Sequence, residues 1–503
     1  MKKVEKGCMN KSIYLKGISS LFAVFLSVNG VAGSLISLSD QELSETTGQA
    51  LMSLGYIAPN ESSNLMSKYS SGSNIGFYKL GIDADIELNA NIANLQLGCG
   101  GMNNTIRTNS CDIDIKNIAL SGLNDTTNSS GSPTFTSQQR AATDALINNP
   151  FIQFAIRNPE KASTREVVGV QLGAAAITGL LSLGTENGST ASLTDGLQSL
   201  SGFMQIAATT GTASTQKTIF GKTSNQILSG YAGLLTNGAA VQFNSQPTNS
   251  KTTGITIPSV STAFEVPAFT INGVHQASAL VENIKTKIST IPIDTLSTDA
   301  LYVSLGCGGN STPILCPIAT ALVSGATFKM ASGSSIQNLN MKITFQEALS
   351  MIHNIPLTGS GGYLSLQSMA LIWPDSTVSA ADISKNSLSS LSKGTDVAQP
   401  GWWMSFANPV QLGVLNVDNQ VNIDAVLPQV ASLVSTFLSK KENYPVLDLG
   451  QVLGAVVQTP ISQKLNVDLN SYTLNNPATL SLINQKLANQ TPVSNCYGSL
   501  KFC

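Results

Sequence analysis

The stretch Gly81 to Leu123, GIDADIELNANIANLQLGCGGMNNTIRTNSCDIDIKNIALSGL, reads as two alternating strands joined by a loop that Cys99 and Cys111 close. With a disulfide across an antiparallel ladder, residues equidistant from the bridge face each other. Leu97 then meets Ile113, Leu95 meets Ile115, Ile92 meets Ile118 and Ala90 meets Leu120. Every one of these pairs is apolar on both sides. The apolar parity slips at Ala93–Asn94 on one strand and slips back at Lys116–Asn117 on the other, and these positions also face each other. The cysteine spacing and the hydrophobic alternation therefore point independently to one register.

A similar device recurs as LYVSLGCGGNSTPILCPIATAL. There Cys307 and Cys316 predict Leu305 opposite Ile318, Val303 opposite Thr320 and Leu301 opposite Leu322. The last two cysteines, Cys496 and Cys503, form a third close pair, and Cys8 stands alone near the N-terminus. Three local pairs without zinc or thiol-redox spacing fit an oxidising compartment.

The N-terminus agrees with export. Lys2, Lys3, Lys6, Lys11 and Lys16 form a basic region, Ile18 to Val28 is apolar, and Gly30-Val31-Ala32-Gly33 offers small residues for cleavage. Residues 1–33 are thus expected to be a signal peptide, and the apolar run is shorter than the roughly 20 residues of a spanning helix. No later stretch reaches that length, so no transmembrane segment is expected in the mature chain. An outer-membrane barrel is disfavoured by the stretches that read as helical between strands. The expected location is periplasm, outer membrane or cell surface.

Charged residues make up 11% of the 503-residue chain, against roughly 25% in ordinary soluble proteins. With 27 basic and 29 acidic residues the formal net charge is -2, which offers no electrostatic footprint for nucleic acid. The polar positions are hydroxyls and amides.

Along the chain, Ser39 and Glu42 form a capping box that starts a short helix from Asp40 to Gly48. Asp83, Asp85 and Glu87 share one strand face. Calcium takes clustered carboxylates, but no glycine turn or bidentate Glu follows, so the run reads as a solvated face. Residues from Gln138 to Gly184 show helical spacing, broken at Pro150 and Pro159 and weakened by Gly169, Gly173 and Gly179. Thr185 to Thr262 is rich in Gly, Ser, Thr, Gln and Asn and reads as an irregular insertion. Strand signals return from Ala263 to Ile271, from Leu339 to Phe345, and in a meander containing Leu412, Val414, Val421, Ile423, Leu465, Val467 and Leu469. Val426 to Lys440 has helical spacing.

The expected fold is mainly β with several helices (α+β): antiparallel, disulfide-stapled hairpins and a meander packed with short helices, elongated overall. The expected divisions are 1–33 signal peptide; 34–60 capped helix segment; 61–262 first hairpin, helical pair and insertion; 263–503 second hairpin, meander and C-terminal bridge.

Catalytic signatures are scarce. The two histidines, His275 and His353, would have to serve any zinc cage or triad, and no Gly-x-Ser-x-Gly elbow is present. FGKT at Phe220 to Thr223 lacks the first glycine of a phosphate loop, with Gln216 in its place. The reading is therefore non-enzymatic, without metal or cofactor. Trp373, Trp402 and Trp403 are candidate contacts for a partner or a sugar.

LSDQELSETTGQALMSLGYIAP together with NPFIQFAIRNPEKASTREVVGVQLGAAAITGLLSLG resembles the FilA-type exported proteins of Acinetobacter and related gammaproteobacteria. That resemblance implies a part in assembling or composing a pilus or surface filament, with other filament or outer-membrane assembly proteins as partners. The alternative reading is a surface adhesin or carbohydrate-binding protein.

Overall fold

Period-two alternation dominates the chain, and the computed structural model turns it into sheets. The structure describes residues 52–69, 74–104, 110–123, 134–234, 240–247, 253–293, 299–307, 311, 317, 326–383 and 394–496. The signal peptide expected at residues 1–33, the helix expected from Asp40 to Gly48, Cys8, Cys316 and Cys503 lie outside the described residues.

The protein is mainly β, with antiparallel and mixed sheets and a few short helices. The largest sheet has eleven strands. These are β1 Met52–Ile57, β2 Ile75–Ile82, β3 Asp85–Leu88, β4 Ala90–Leu97, β5 Ile113–Ser121, β6 Ala145–Arg157, β7 Glu166–Leu183, β8 Gly196–Ile206, β9 Phe269–Gln276, β10 Asn354–Gln367 and β11 Gly401–Phe406. Their order is β1-β2-β6-β7-β10-β11-β8-β5-β4, with β3 on β6 and β9 on β8. Because β5 also pairs with β7, the pairings of β5, β7, β10, β11 and β8 close on themselves.

The first hairpin has the register its sequence predicts. Ala90 faces Leu120, Ile92 faces Ile118, Leu95 faces Ile115 and Leu97 faces Ile113, and Cys99 is bonded to Cys111. At the parity slip, Asn117 takes φ +55°, a left-handed conformation that Asn tolerates better than most residues.

The stretch expected to be helical from Gln138 to Gly184 is a correction. Only the short helix α1, Ser137–Ala141, forms there, with a capping box between Thr136 and Gln139. The rest is the β6–β7 hairpin, in which Ile152 faces Leu172 and Phe154 faces Val170. Phe151, Gln153 and Ala155 are buried while Ile152 and Phe154 turn outward. Both faces are largely apolar, so the period-two signal vanished into a continuous hydrophobic run. Pro150 fits this strand because β3 pairs with residues up to Asn148 and β2 from Phe151 onward. On its other edge it faces Ala174 of β7; a proline, with no N–H to donate, is tolerated where a ladder changes partner. Gly173 lies under Phe151, where a Cβ would come within 2.5 Å of the ring.

The insertion expected to be irregular from Thr185 to Thr262 is likewise a correction. It forms β8 and the strands Thr209–Ser214, Thr218–Phe220, Ser229–Leu234, Ala240–Ser245, Ile255–Ile257 and Ser261–Val266. Its small polar residues are buried by bonding to backbone: the Ser199 hydroxyl donates to the Cys111 carbonyl at 2.8 Å, and the Ser201 hydroxyl accepts from the His275 N–H at 3.0 Å.

In the segment around Cys307, Leu301 faces Phe328 where Leu322 was expected, and the Val303 N–H donates to the Ala326 carbonyl; Ile318, Thr320 and Leu322, expected opposite Leu305, Val303 and Leu301, lie outside the described residues. The return strand thus pairs from farther along the chain than the cysteine spacing implied. On its other edge Leu305 faces Phe243. Cys307 and Cys496 are both disulfide-bonded.

The C-terminal segments join as parallel strands where a sequential meander was expected: Ile343 faces Leu480, Ile336 faces Val467 and Phe328 faces Ile461. The helix expected near Val426 to Lys440 is α2, Leu427–Leu438, which buries Leu427, Val430, Ala431, Val434 and Leu438. The boundary expected at 262 divides no sheet, because β9, β10 and β11 pair with strands that precede it. Residues 52–57, placed by sequence in a helical segment, are edge strand β1.

Candidate interaction surface

Registers across the large sheet place apolar residues in continuous rows that face outward on β1, β2, β6 and β7, while Leu364, Trp402 and Met404 at their β10–β11 end are half-buried against the main core. One row runs Leu54, Leu80, Ile152, Leu172, Leu364 and Met404; the next runs Tyr56, Tyr78, Phe154, Val170, Leu366 and Trp402. Met52 and Ile82 extend the face at one end, and Ile156 and Val167 at the other. No Asp, Glu, Lys or Arg interrupts these rows. Leu54 is 79% exposed, Met52 63%, Val167 55% and Leu172 47%. Water is therefore in contact with an apolar patch of a kind that monomeric surfaces rarely keep.

The face ends at β1, which pairs only with β2 among the described residues. Its sequence, MSLGYI, holds no charge and no proline, and five of its six residues are exposed. Edge strands ordinarily carry such guards because free N–H and C=O groups are templates for another strand.

At the β7–β10–β11 end of this same face, the loop after Cys99 overhangs the sheet. Beneath it is a groove of about 410 Å³, lined by Met102, Val167, Val170, Leu366 and Trp402. The loop is pinned by Asp112. One carboxylate oxygen accepts from Asn103 Nδ2 at 2.9 Å and lies 3.0 Å from His275 Nε2, while the other accepts from the Trp402 N–H at 2.9 Å. Gly401, at φ +97°, must lack a side chain because a Cβ would come within 2.5 Å of that carboxylate. Sequence offered no signal for Asp112 beyond its place after a cysteine.

His275 Nδ1 is 2.8 Å from the Ser110 hydroxyl, so Ser110, His275 and Asp112 supply the three side chains of a serine triad. Their arrangement is inverted, since a triad carboxylate holds Nδ1 and the serine faces Nε2. The His275 side chain is 1% exposed, and Ser110 is not among the residues lining the groove. His275 also holds φ +52°, which places it as a clasp between the stapled loop and β8. His353 is equally enclosed: Nδ1 is 2.6 Å from the Leu183 carbonyl, and its backbone N–H donates to Gln490. Burial lowers its proton affinity, against the pull of the Leu183 carbonyl and Asp195.

The three tryptophans part company. Trp373 and Trp403 are fully buried, which corrects their expected role as surface contacts. Trp373 packs against Phe77 at 5.6 Å. Trp403 Nε1 donates to Asp396 at 3.1 Å, and the same carboxylate accepts from the hydroxyls of Tyr363 and Ser405. Trp402 is half-buried, packed against the main core and lining the groove. Asp83, Asp85 and Glu87 are exposed, and among the described residues no His, Cys, Asp and Glu gather in a metal-holding group.

Two buried ionic groups escaped sequence reading. Arg140 in α1 is fully buried and donates to the Ser121 hydroxyl and to the carbonyls of Ala119, Leu180 and Val493. Burial pushes its proton affinity down to about 10. Glu347 is also fully buried. Among the described residues no helix is long and apolar enough to cross a membrane. No known family model, curated protein or solved structure matches the chain.

Proposed function

We propose that this chain is an exported, non-catalytic protein that assembles or composes a bacterial surface filament, and that it takes up a partner by strand addition at β1. The observation that carries this reading is the unguarded edge of β1, which pairs with no strand but β2 among the described residues and borders an uncharged face. Main-chain hydrogen bonds along such an edge give affinity, and side chains at alternate positions give selectivity. Protein contact is favoured over carbohydrate binding because only one of the three tryptophans is accessible.

Gly55→Glu tests the mechanism. Gly55 lies on the strand face opposite the apolar rows, and a Cβ there meets only Lys79 at 3.8 Å. The carboxylate is therefore tolerated by the fold while it guards the edge. Cells carrying this variant in place of the wild type are expected to export the protein and lose the filament, as seen by electron microscopy. Normal filaments with Gly55→Glu would remove β1 from the mechanism, and normal filaments after deletion of the gene would remove the filament role itself.

A further inference from the structure

We infer that the cleft beside Arg140 binds the carboxylate of a small polyhydroxy acid. This cleft, of about 300 Å³, lies where β4 and β5 meet the end of β7 and residues 492–496. Among the described residues that line it, Arg140 carries the only formal charge; Asn91, Asn117, Ser182, Thr185 and Ser494 contribute amides and hydroxyls. Arg140 is fully buried, and no carboxylate of the described residues stands within ion-pair distance of its guanidinium. A cation withdrawn from water without an anion is costly, which is why buried charges are ordinarily paired. Asp195 borders the cleft but does not supply that anion: its carboxylate is taken up by Asn117 Nδ2 and by the N–H groups of Thr185 and Glu186.

Two unspent groups decide what fits. Arg140 Nε donates to the Ser121 hydroxyl, Nη2 to the Ala119 and Leu180 carbonyls, and Nη1 to the Val493 carbonyl. A guanidinium has five N–H groups, so these bonds leave one hydrogen on Nη1, the nitrogen that faces the cleft-lining segment 492–496. Asn495 lines the same cleft and is 2% exposed. Its Nδ2 donates to Asn89 Oδ1 at 2.8 Å and to the Ala90 carbonyl at 3.2 Å, while its Oδ1 has no hydrogen-bond partner among the described residues. A carboxylate takes the charge-assisted bond from Nη1 and neutralises the guanidinium. A hydroxyl of the same molecule donates to Asn495 Oδ1, which a bare anion would leave unpaired. Further hydroxyls suit Ser182, Thr185 and Ser494, whose oxygens can accept more than one hydrogen bond.

The cleft is remote in sequence and separate in lining from β1, so this inference and strand addition fail independently. The test is isothermal titration calorimetry of the purified full-length exported protein with gluconate, hexanoate and glucitol, molecules of one chain length that carry both groups, the carboxylate alone and the hydroxyls alone. Saturable binding of gluconate is expected, on the order of tenfold tighter than that of either other compound. Replacing Arg140 would also unfasten α1 from β5 and β7, so the variants are placed at the rim. Ser494 is exposed, and Ser494→Glu and Ser494→Gln should both keep the wild-type circular dichroism and melting profile. The glutamate sets a like charge beside the bound carboxylate and should weaken gluconate about tenfold relative to the glutamine of the same size. A wild type that takes up no gluconate overturns the inference, as does one that binds hexanoate or glucitol equally well. So does a gluconate affinity that is the same in Ser494→Glu and Ser494→Gln.

Discussion

Glu347 occupies the strand Ser335–Ala348 with its side chain out of reach of water. One carboxylate oxygen accepts from the Gln485 N–H at 3.1 Å; the other has no hydrogen-bond partner among the described residues. Burial raises its proton affinity from an ordinary 4.5 to about 8, and the Gln485 bond opposes this only partly. Below pH 4.5 the group is neutral folded or unfolded and exerts no pH-dependent effect. Between 4.5 and 8 the unfolded chain releases the proton while the folded chain keeps it, so stability falls as pH rises through that window. Glu347→Gln should therefore gain on the wild type by on the order of 2–4 kcal/mol between pH 5 and pH 8.5. Urea midpoints at the two pH values measure it, and an equal difference at both would contradict a neutral Glu347. Asp112 is a buried carboxylate that accepts from Asn103 Nδ2 and the Trp402 N–H and lies 3.0 Å from His275 Nε2. Asp112→Ala should lower stability by ~3 kcal/mol through donors left unpaired, and should speed proteolysis in the loop after Cys99. Unchanged urea stability would show that the clasp contributes nothing.

At the scale of elements, legibility followed the number of independent marks each segment carried. The β4–β5 hairpin had two, cysteine spacing and one-sided alternation, and its pairing from Ala90 to Leu97 was readable throughout. The β6–β7 hairpin had one, and it failed because Ile152 and Phe154 face outward with the same chemistry that Phe151 and Ala155 bury. The misreading and the interaction surface share that cause: outward-facing apolar residues hide a strand from period analysis and expose a patch once the strand has formed. The segment around Cys307 had cysteine spacing with one polar residue, Thr320, among its expected partners, and the pair that can be compared, Leu301 with Phe328, departs from the expected register. In the candidate surface, β1 follows the helix expected from Asp40 to Gly48 and has no strand reading of its own in the sequence, and Asp112 became recognisable only when β9 brought His275 beside it. The Cys99–Cys111 bridge closes a loop with a sequence separation of 12. Replacing both cysteines by serine should cost about 2–3 kcal/mol in guanidinium unfolding under oxidising conditions. The difference should vanish when wild type and variant are compared in reductant, and a difference that persists there would assign the loss to packing.

At the scale of the whole molecule, long-range pairing decides which pieces can stand alone. Residues 51–503 cluster as one unit. Inside it, β7 lies between β6 and β10, and β10 comes from the chain beyond Thr262. The same holds for β8, which takes β9 on one edge and β11 on the other. A fragment ending at residue 262 would therefore lose the partners of both strands and open the ring that β5, β7, β10, β11 and β8 close. Two hydrogen-bonding edges and the buried residues Val168, Leu180 and Phe203 would then meet water. An unpaired edge beside an apolar surface promotes aggregation. Residues 51–262 expressed alone into the periplasm should thus be insoluble or lack a cooperative unfolding transition. Co-expression with residues 263–503 should restore a soluble complex, since the missing strands can pair in trans. A first fragment that melts cooperatively by itself would show that β10 and β11 decorate a finished fold; the closed pairing predicts that they complete it.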